Sequence, residues 1–338
     1  MKKKLHRLFW SIYPFFRAHA HIDTRRREPY LISEPERTYM VEALRLRYAL
    51  LPAWYTAFHT ASVKGYPIVR PMWWQFPHDA AGIPVDDQMV LGDTGLLVRP
   101  IVDEGADSAY VYLPASADGE KPPPYYDYFD YTVHESAAQG KTVQVSAGLD
   151  KLPLLMRAGH IIPRRDRPRR SSGLMKGDPF TLVLVLDPEI GTAEGDLYLD
   201  DGESYKYETG ARIHRRFIFE HNGLRSEDAD DAAAETGVSK AFKKAKEEYL
   251  SAMDHVGVER IIVVGAPKAW KGKRSVSVSE EGGAGVREKR GEQKVLAQSR
   301  DGTREVGLTF FEGAKGKADW AVVRNPGVKV GRGWRINF

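Results

Sequence analysis

After about residue 66 the hydrophobic pattern of this chain changes period, and that change limits the fold more than any other feature. Before it, apolar Met40, Leu44, Tyr48 and Leu51 recur at spacings of four, four and three, which is one face of a helix. After it, short apolar runs are cut by Gly, Pro and Asp. The runs are Leu96–Val102, Tyr110–Leu113, Lys151–Met156, Phe180–Leu186, Ile213–Glu220, Val258–Val264, Ser275–Ser279 and Val306–Phe311. In the fifth, Arg215, Phe217 and Phe219 alternate with their neighbours at the period of a strand. Phe180–Leu186 is almost unbroken in apolar residues, as a central strand is. Many short strands at this spacing predict β-sandwich-like units, here two of them dividing near residue 187. The 31 Gly, 20 Pro and 16 Tyr agree with many turns and much β structure.

Local signals place the helix ends. Ser33-Glu34-Pro35-Glu36 reads as a capping box, with Ser33 taking an early amide and Glu36 reaching back to Ser33. Pro35 suits a first turn, where its missing N–H costs nothing. Pro52 predicts a kink or a break, and the pattern resumes through Trp54, Tyr55 and Phe58 to stop near Gly65. Three further segments stand out. Pro122–Pro124 predicts a rigid, exposed stretch. Residues 225–255 run acidic (Glu227, Asp228, Asp230, Asp231), then Ala-rich, then basic (Lys240, Lys243, Lys244, Lys246), which predicts a mobile surface insertion with some helix. Residues 280–294 predict a loop.

Composition removes several functions. Without cysteine there is no disulfide scaffold, thiolate metal site or cysteine nucleophile. No apolar run approaches the roughly 20 residues of a bilayer-spanning helix, so no membrane insertion is expected. The net charge of +4 is unevenly placed: residues 1–50 hold eleven Lys and Arg against five Asp and Glu, and the rest is slightly acidic. That is not a surface built to coat nucleic acid. No Gly-rich phosphate loop and no Gly-x-Ser-x-Gly elbow occurs. His19 and His21 could present two imidazoles on one side of a strand, but no third ligand lies at a suitable spacing. No metal and no cofactor are expected.

The dense run Arg164–Arg170 could hold anions, but the plainer reading is a loop whose arginines pin neighbouring carboxylates and carbonyls. The aromatic run Tyr125–Tyr131 could face sugar rings. The plainer reading there is a strand edge and core. Asp127 and Asp130, Asp178, Asp187, and Asp200 with Asp201 are the carboxylates worth weighing for glycoside chemistry, which needs two carboxyl groups across a scissile bond. Asp200-Asp201-Gly202 reads first as a tight turn.

The stretch Pro14–Pro29, reading Pro-Phe-Phe-Arg-Ala-His-Ala-His-Ile-Asp-Thr-Arg-Arg-Arg-Glu-Pro, resembles a hallmark of glycoside hydrolase family 31. Matching blocks follow in the family's order: Glu42–Pro52, Val69–Met72, Leu91–Val98, Leu152–Pro163, Arg169–Ser172, Leu197–Glu203 and Val258–Ile262. The resemblance implies a retaining exo-α-glucosidase. It implies a mainly β chain: the last helical and strand elements of a (β/α)8 barrel, followed by two C-terminal β-sandwich-like domains. On that reading residues 1–13 are an atypical N-terminus and 14–100 end the barrel. Residues 101–187 form a proximal β-domain, and 188–338 a distal one with the insertion near 225–255.

The resemblance also implies site residues. Arg17 and His19 fall on the family's Arg-x-His, where His19 would hydrogen-bond the terminal glucose and Arg17 would line or brace that pocket. The family's nucleophile motif (Trp-Asn-Asp-Met-Asn-Glu type) and acid/base motif (Asp-Val-Gly-Gly-Phe type) occur nowhere here, so no catalytic residue is expected in this chain and it reads as truncated and inactive alone. The closest members in pattern implicate an α-glucoside or glucosylated N-glycan as substrate. They also implicate a separate non-catalytic beta subunit and the lumen of the endoplasmic reticulum, although Met1–Tyr13 lacks a convincing signal peptide and Arg335–Phe338 is no retrieval signal. The alternative is a non-catalytic β-sandwich module that binds carbohydrate or protein.

Overall fold

The structure, a computed structural model, describes residues 12–17, 21–24, 26, 28–103, 105–148, 150–187, 189–230, 240–280, 297–298 and 303–338. It divides into two compact units, Met1–Arg157 and Ala158–Phe338. The sequence placed the division near 187. The structure places it earlier because the strand Phe180–Val185 is bonded along both edges inside the second unit.

The first unit opens with helices α1 (Glu36–Ala49) and α2 (Leu51–Lys64). Pro52 divides them as expected, sitting in the first turn of α2, where it leaves no amide unpaired. Gly65, at φ 70°, ends α2 in the left-handed conformation and returns its N–H to the Ala61 carbonyl. The capping box does not form. Pro35 holds the cap position with no side-chain bond. Glu34 caps the helix instead, its carboxylate accepting from the Thr38 amide at 3.1 Å and the Thr38 hydroxyl at 2.6 Å. Met40, Ala43, Leu50, Ala53, Trp54 and Ala57 are buried along one face of the pair.

The strands follow: β1 (Val69–Pro71), a short α3 (Met72–Gln75), β2 (Met89–Leu91), β3 (Leu96–Val98), β4 (Ser108–Leu113), β5 (Tyr125–Asp127), β6 (Val133–His134), β7 (Lys141–Ser146) and β8 (Leu154–Arg157). Six of them form a sheet in the order β1-β2-β3-β8-β5-β6, and β4 pairs with β7 in a separate ribbon. Sheet and ribbon share one core of Met72, Val90, Leu97, Val111, Leu113, Tyr125, Val145 and Leu155. The β2–β3 turn must be glycine at Gly92: its φ is 47°, and a Cβ there would lie 2.9 Å from the Ala57 Cβ of α2. Buried Asp79 braces the β4 end, accepting from the Tyr112 hydroxyl and the Ala115 amide at 3.0 Å each. Pro122 and Pro124 are buried rather than exposed, because the extended segment entering β5 turns alternate residues inward.

The second unit is built from β9 (His160–Arg164), β10 (Phe180–Val185), β11 (Ala193–Leu199), β12 (Ile213–Glu220), β13 (Gly223–Asp228), α4 (Lys240–Ala252), β14 (Val258–Val264), β15 (Ser275–Glu280), β16 (Ala297–Gln298), β17 (Arg304–Phe311), β18 (Trp320–Arg324) and β19 (Trp334–Asn337). Their order is β15-β19-β13-β12-β11-β9-β10-β14-β18-β17-β16, and β15 also pairs with β17. That extra pairing closes a ten-strand barrel and leaves β16 as an appendage on β17. The chain is mainly β, as the punctuation predicts. The expected sandwich gives way here to a closed barrel, in which the outermost strands satisfy each other's edge groups instead of leaving them free. All six residues of β10 are buried. Gly195 lets β11 come against β9, since a Cβ there would sit 2.0 Å from the Ile161 carbonyl oxygen.

The segment 225–255 differs most from expectation. Its first residues are β13, paired with both β12 and β19, and α4 is tied to the barrel by charge. Lys246 is buried; its ammonium lies 2.7 Å from Asp228 and 3.5 Å from Asp230. Arg212 Nε adds a contact to Asp230 at 3.1 Å and His214 Nδ1 another at 3.5 Å. A lysine spaced to look like part of a solvated face therefore answers two carboxylates. Residues 231–239 and 281–296 lie outside the described residues.

Burial works to raise the Asp230 pKa, but hydrogen bonds from His214 and Arg212 and the charges around it win, so its carboxyl is held well below the usual range. A depressed folded pKa gives stability that is complete above the unfolded value near 4 and is lost as pH falls below it. Urea unfolding should show Lys246→Ala weakening the chain by about 2 kcal/mol at neutral pH, the scale of a lost charged hydrogen bond, since two carboxylates lose a shared buried cation while Arg212 still answers Asp230. Asp230→Asn should make the loss of stability below about pH 4 shallower than in the parent chain.

Candidate functional site

The stretch that leads to Arg17 is irregular, so its carbonyls have no ladder to join. A side chain of α1 reaches across to it. Arg47, half-buried on the last turn of α1, donates from Nη1 to the Tyr13 carbonyl at 2.5 Å and from Nη2 to the Pro14 carbonyl at 2.9 Å. The same guanidinium lies 5.0 Å from the centre of the Phe16 ring and 5.7 Å from that of Trp54. Burial lowers its pKa from the ordinary value. Ile12, 2% exposed, anchors the beginning of the stretch. Arg17 itself is exposed. His19 lies outside the described residues. His21 is exposed, with Nδ1 3.4 Å from the carboxylate of Asp23. No cluster of His, Cys, Asp and Glu with metal-binding geometry occurs among the described residues.

A second cation site joins two sequence blocks that look unrelated along the chain. Arg70, buried at the centre of β1, makes a two-pronged pair with the carboxylate of Asp93 in the β2–β3 turn. It also donates to Gln75 Oε1 at 3.1 Å and to the Pro67 carbonyl at 3.2 Å. Its guanidinium lies 4.7 Å from the Trp74 ring centre and 5.6 Å from that of Tyr66. Both blocks stand out in the sequence; their pairing does not, because the partners are 23 residues apart.

The carboxylates resolve into structural roles. Asp127 Oδ1 accepts the amides of Phe129 and Asp130, at 2.8 and 3.1 Å, and burial raises its pKa. Asp130 Oδ1 accepts the amide and hydroxyl of Thr132. Asp178 is gripped by Arg169 through two bonds, of 2.8 and 2.5 Å. Asp187 holds the amides of Glu189 and Ile190. Asp200 accepts from the Gly202 amide. Asp201 takes the amides of Glu203 and Ser204 and the Ser204 hydroxyl, which together bring it down to about 2. Asp200-Asp201-Gly202 is a turn, as read, but it opens a longer excursion through a 3-10 turn at Tyr205–Thr209 before β12. Each of these side chains is occupied in fixing backbone or an arginine, which is the opposite of a carboxylate poised to attack or protonate a substrate.

The basic run behaves as its plainer reading had it. Arg164 pairs with Asp166 at 2.9 Å, Arg167 with Glu259 at 2.8 Å, and Arg169 with Asp178. Arg165 donates to the carbonyls of Asp178 and Lys176 and lies 4.2 Å from the Phe180 ring centre; burial pulls it down to about 10. The aromatic run is core as well. Tyr125 and Tyr126 are each 1% exposed, Tyr128 is buried, and Phe129 alone of the four stands half out. The case for a sugar platform on this run loses its support.

A chain that is mainly β, that carries two helices ahead of its strands and ties its carboxylates into turns, agrees with the resemblance, and the match is direct. It belongs to glycoside hydrolase family 31: residues 9–57 match the profile "Glycosyl hydrolases family 31 TIM-barrel domain", and residues 65–162 match "Glycosyl hydrolase family 31 C-terminal domain". Within the family its likeness is to the C-terminal part of glucosidase II alpha subunits. It is 42% identical to "Glucosidase 2 subunit alpha" of Schizosaccharomyces pombe over 75% of this chain and 25% of that one. A solved glucosidase II alpha subunit, "alpha3-Glc2-bound", superposes with a TM-score of 0.83 at 46% identity over 99% of this chain and 32% of its own. Another solved structure, at 45% identity and TM-score 0.84, covering 99% of this chain and 32% of its own, is an "ER glucosidase II heterodimeric complex consisting of catalytic subunit and the binding domain of regulatory subunit". The chain thus spans about a quarter of the first curated relative and a third of the solved chains.

Tyr125 gives a direct check on the core reading. Its hydroxyl is buried with no hydrogen-bond partner among the described residues, and burial pushes it up to about 12. Tyr125→Phe removes that orphan without changing the ring. Denaturant unfolding should show the variant equal to the parent or more stable by about 1 kcal/mol. A loss of stability would mean that the hydroxyl has found a partner.

Proposed function

We propose that this chain is the C-terminal part of a retaining exo-α-glucosidase that trims glucose from N-linked glycans. In this reading α1 and α2 belong to the end of the family's (β/α)8 barrel, and the strands that follow form its C-terminal β-domains. His19 hydrogen-bonds the terminal glucose of the substrate in the −1 subsite, and Arg17 lines or braces the same pocket. The substrate is an α-glucoside or a glucosylated N-glycan, the partner is the non-catalytic beta subunit, and the compartment is the lumen of the endoplasmic reticulum. The observation that carries the reading is the continuous likeness to glucosidase II alpha subunits, at 46% identity over 99% of the chain.

The mechanism divides the labour between this chain and the rest of the enzyme. A retaining glycosidase needs one carboxylate as nucleophile and a second carboxyl as acid and then base. Asp127, Asp130, Asp178, Asp187, Asp200 and Asp201 are all engaged in turns or with an arginine. The family's two aspartate motifs occur nowhere in this sequence, so the nucleophile and the acid/base are assigned to the part of the enzyme outside this chain. Arg17 and His19 contribute substrate contacts, and contacts made equally in ground and transition states do not by themselves raise the chemical rate.

The purified chain should release no product above buffer from an aryl α-glucoside. The full-length alpha subunit with this chain as its C-terminal part should turn the substrate over. In that enzyme His19→Ala should lower kcat/KM roughly two- to tenfold for one lost neutral hydrogen bond. Turnover by the isolated chain, abolished by replacing one of its own carboxylates, would put the active site elsewhere and sink the reading.

A further inference from the structure

Arg47 belongs to a helix, lies more than thirty residues from the segment it touches, and carries no chemistry of its own in the reading above. Its position follows from the helix period. It shares a face with buried Ala43, four residues before it, and with buried Leu50, three residues after it. That face turns the side chain towards Trp54 of α2 and towards the stretch Ile12–Arg17. Two consecutive carbonyls of that stretch, Tyr13 and Pro14, accept its two terminal nitrogens. The aromatic rings of Phe16 and Trp54 lie within cation–π reach of the same guanidinium, at 5.0 and 5.7 Å.

Only arginine suits this position. Its guanidinium is a planar fork with donors fixed in two directions, and the faces left over can lie on aromatic rings. A lysine ammonium is a point charge that cannot hold two carbonyls in one geometry while also presenting a flat face. The carbonyls held are those four and three residues before Arg17. Arg47 and the burial of Ile12 thus contribute to the direction in which the chain arrives at Arg17, over a stretch that lies in no strand or helix.

We propose that Arg47 is a positioning residue for Arg17: it fixes the backbone at Tyr13 and Pro14, and through it the Arg17 side chain that lines or braces the sugar pocket. The proposal rests on the reading of Arg17 as part of that pocket. Misplacing a contact group by about 1 Å can cost up to about a hundredfold in rate, so a clamp remote from the sugar can govern catalytic efficiency.

Two measurements test it. In this chain, Arg47→Lys and Arg47→Gln are compared with the parent by peptide-resolved amide hydrogen exchange. Faster exchange confined to residues 12–17, with α1 and the β-barrel still protected, is expected; unchanged exchange over 12–17 overturns the proposal. In the full-length alpha subunit with this chain as its C-terminal part, Arg47→Lys is assayed on an aryl α-glucoside well below its melting transition. A drop in kcat/KM of about tenfold, within the range that misplacement allows, is expected at a temperature where the variant is fully folded. A lower melting temperature with kcat/KM unchanged makes Arg47 a purely structural clamp and overturns the proposal. Arg17→Ala runs alongside. If it lowers kcat/KM and Arg47→Lys does not, the positioning role fails alone. If it leaves kcat/KM unchanged, the reading of Arg17 as part of the pocket has failed and the proposal goes with it. Should Arg47→Gln not fold, Arg47→Lys, which keeps the charge and the stem, carries both measurements.

Discussion

Strand β10 is buried at all six of its residues and is bonded on one side to β9 and on the other to β14. The second unit depends on that arrangement. A strand with both faces and both edges covered must have neighbours on every side, and its pairs are of both kinds, antiparallel with β9 and parallel with β14. From there the sheet extends both ways until β15 meets β17 and closes it. Closure removes the free edges that an open sheet of this size would expose. It also encloses an aromatic cluster in which Trp270 stacks on Phe338 at 4.8 Å and Phe219 meets both rings edge-on. Each large apolar side chain removed from water there is worth about 1.5–3 kcal/mol.

Arginine is the second structural theme. Arg47 holds two carbonyls of an irregular segment, Arg70 joins β1 to the β2–β3 turn, Arg165 caps two carbonyls over the Phe180 ring, and Arg169 grips Asp178. In each case a guanidinium satisfies backbone or carboxylate oxygens that regular secondary structure leaves over. The charge of these four arginines is accordingly used inside the fold. The same logic reads the carboxylates: a side chain that accepts two amides of its own turn serves to shape that turn.

The legibility of the chain varied with the range of the interaction. The runs Ile213–Glu220 and Val258–Val264 are strands with those same bounds, and Phe180–Leu186 holds β10. Pro52 and Gly65 mark a helix break and a helix end. These are local effects of period, ring and Cβ. Two departures show where local reading stops. At Ser33–Glu36 the helix begins later than the expected box requires, with Pro35 at the cap, and Glu34 takes the Thr38 amide instead. At 225–255 a charged composition read as solvent-facing, while β13 lay within a sheet and Lys246 within an ion network. Composition cannot distinguish a charge that faces water from one that faces its counter-charge. The stretch bearing Arg17 and His19 was singled out by its resemblance alone. Arg47 was not, because its role is a contact across more than thirty residues.

The amino-acid sequence by itself determined the mainly β character, the two helices ahead of the strands, the absence of cysteine chemistry and the membership of glycoside hydrolase family 31. Each of these follows from residue type and spacing, or from ordered blocks along the chain, and needs no knowledge of distant neighbours. Only the tertiary structure decided that the second unit closes into a barrel, that Arg70 answers Asp93, that Lys246 answers Asp228 and Asp230, and that Arg47 clamps Tyr13 and Pro14. Those outcomes depend on which edges and charges meet after collapse. Many partners of the right chemistry compete for each arginine and each strand edge, and packing of the whole chain selects among them.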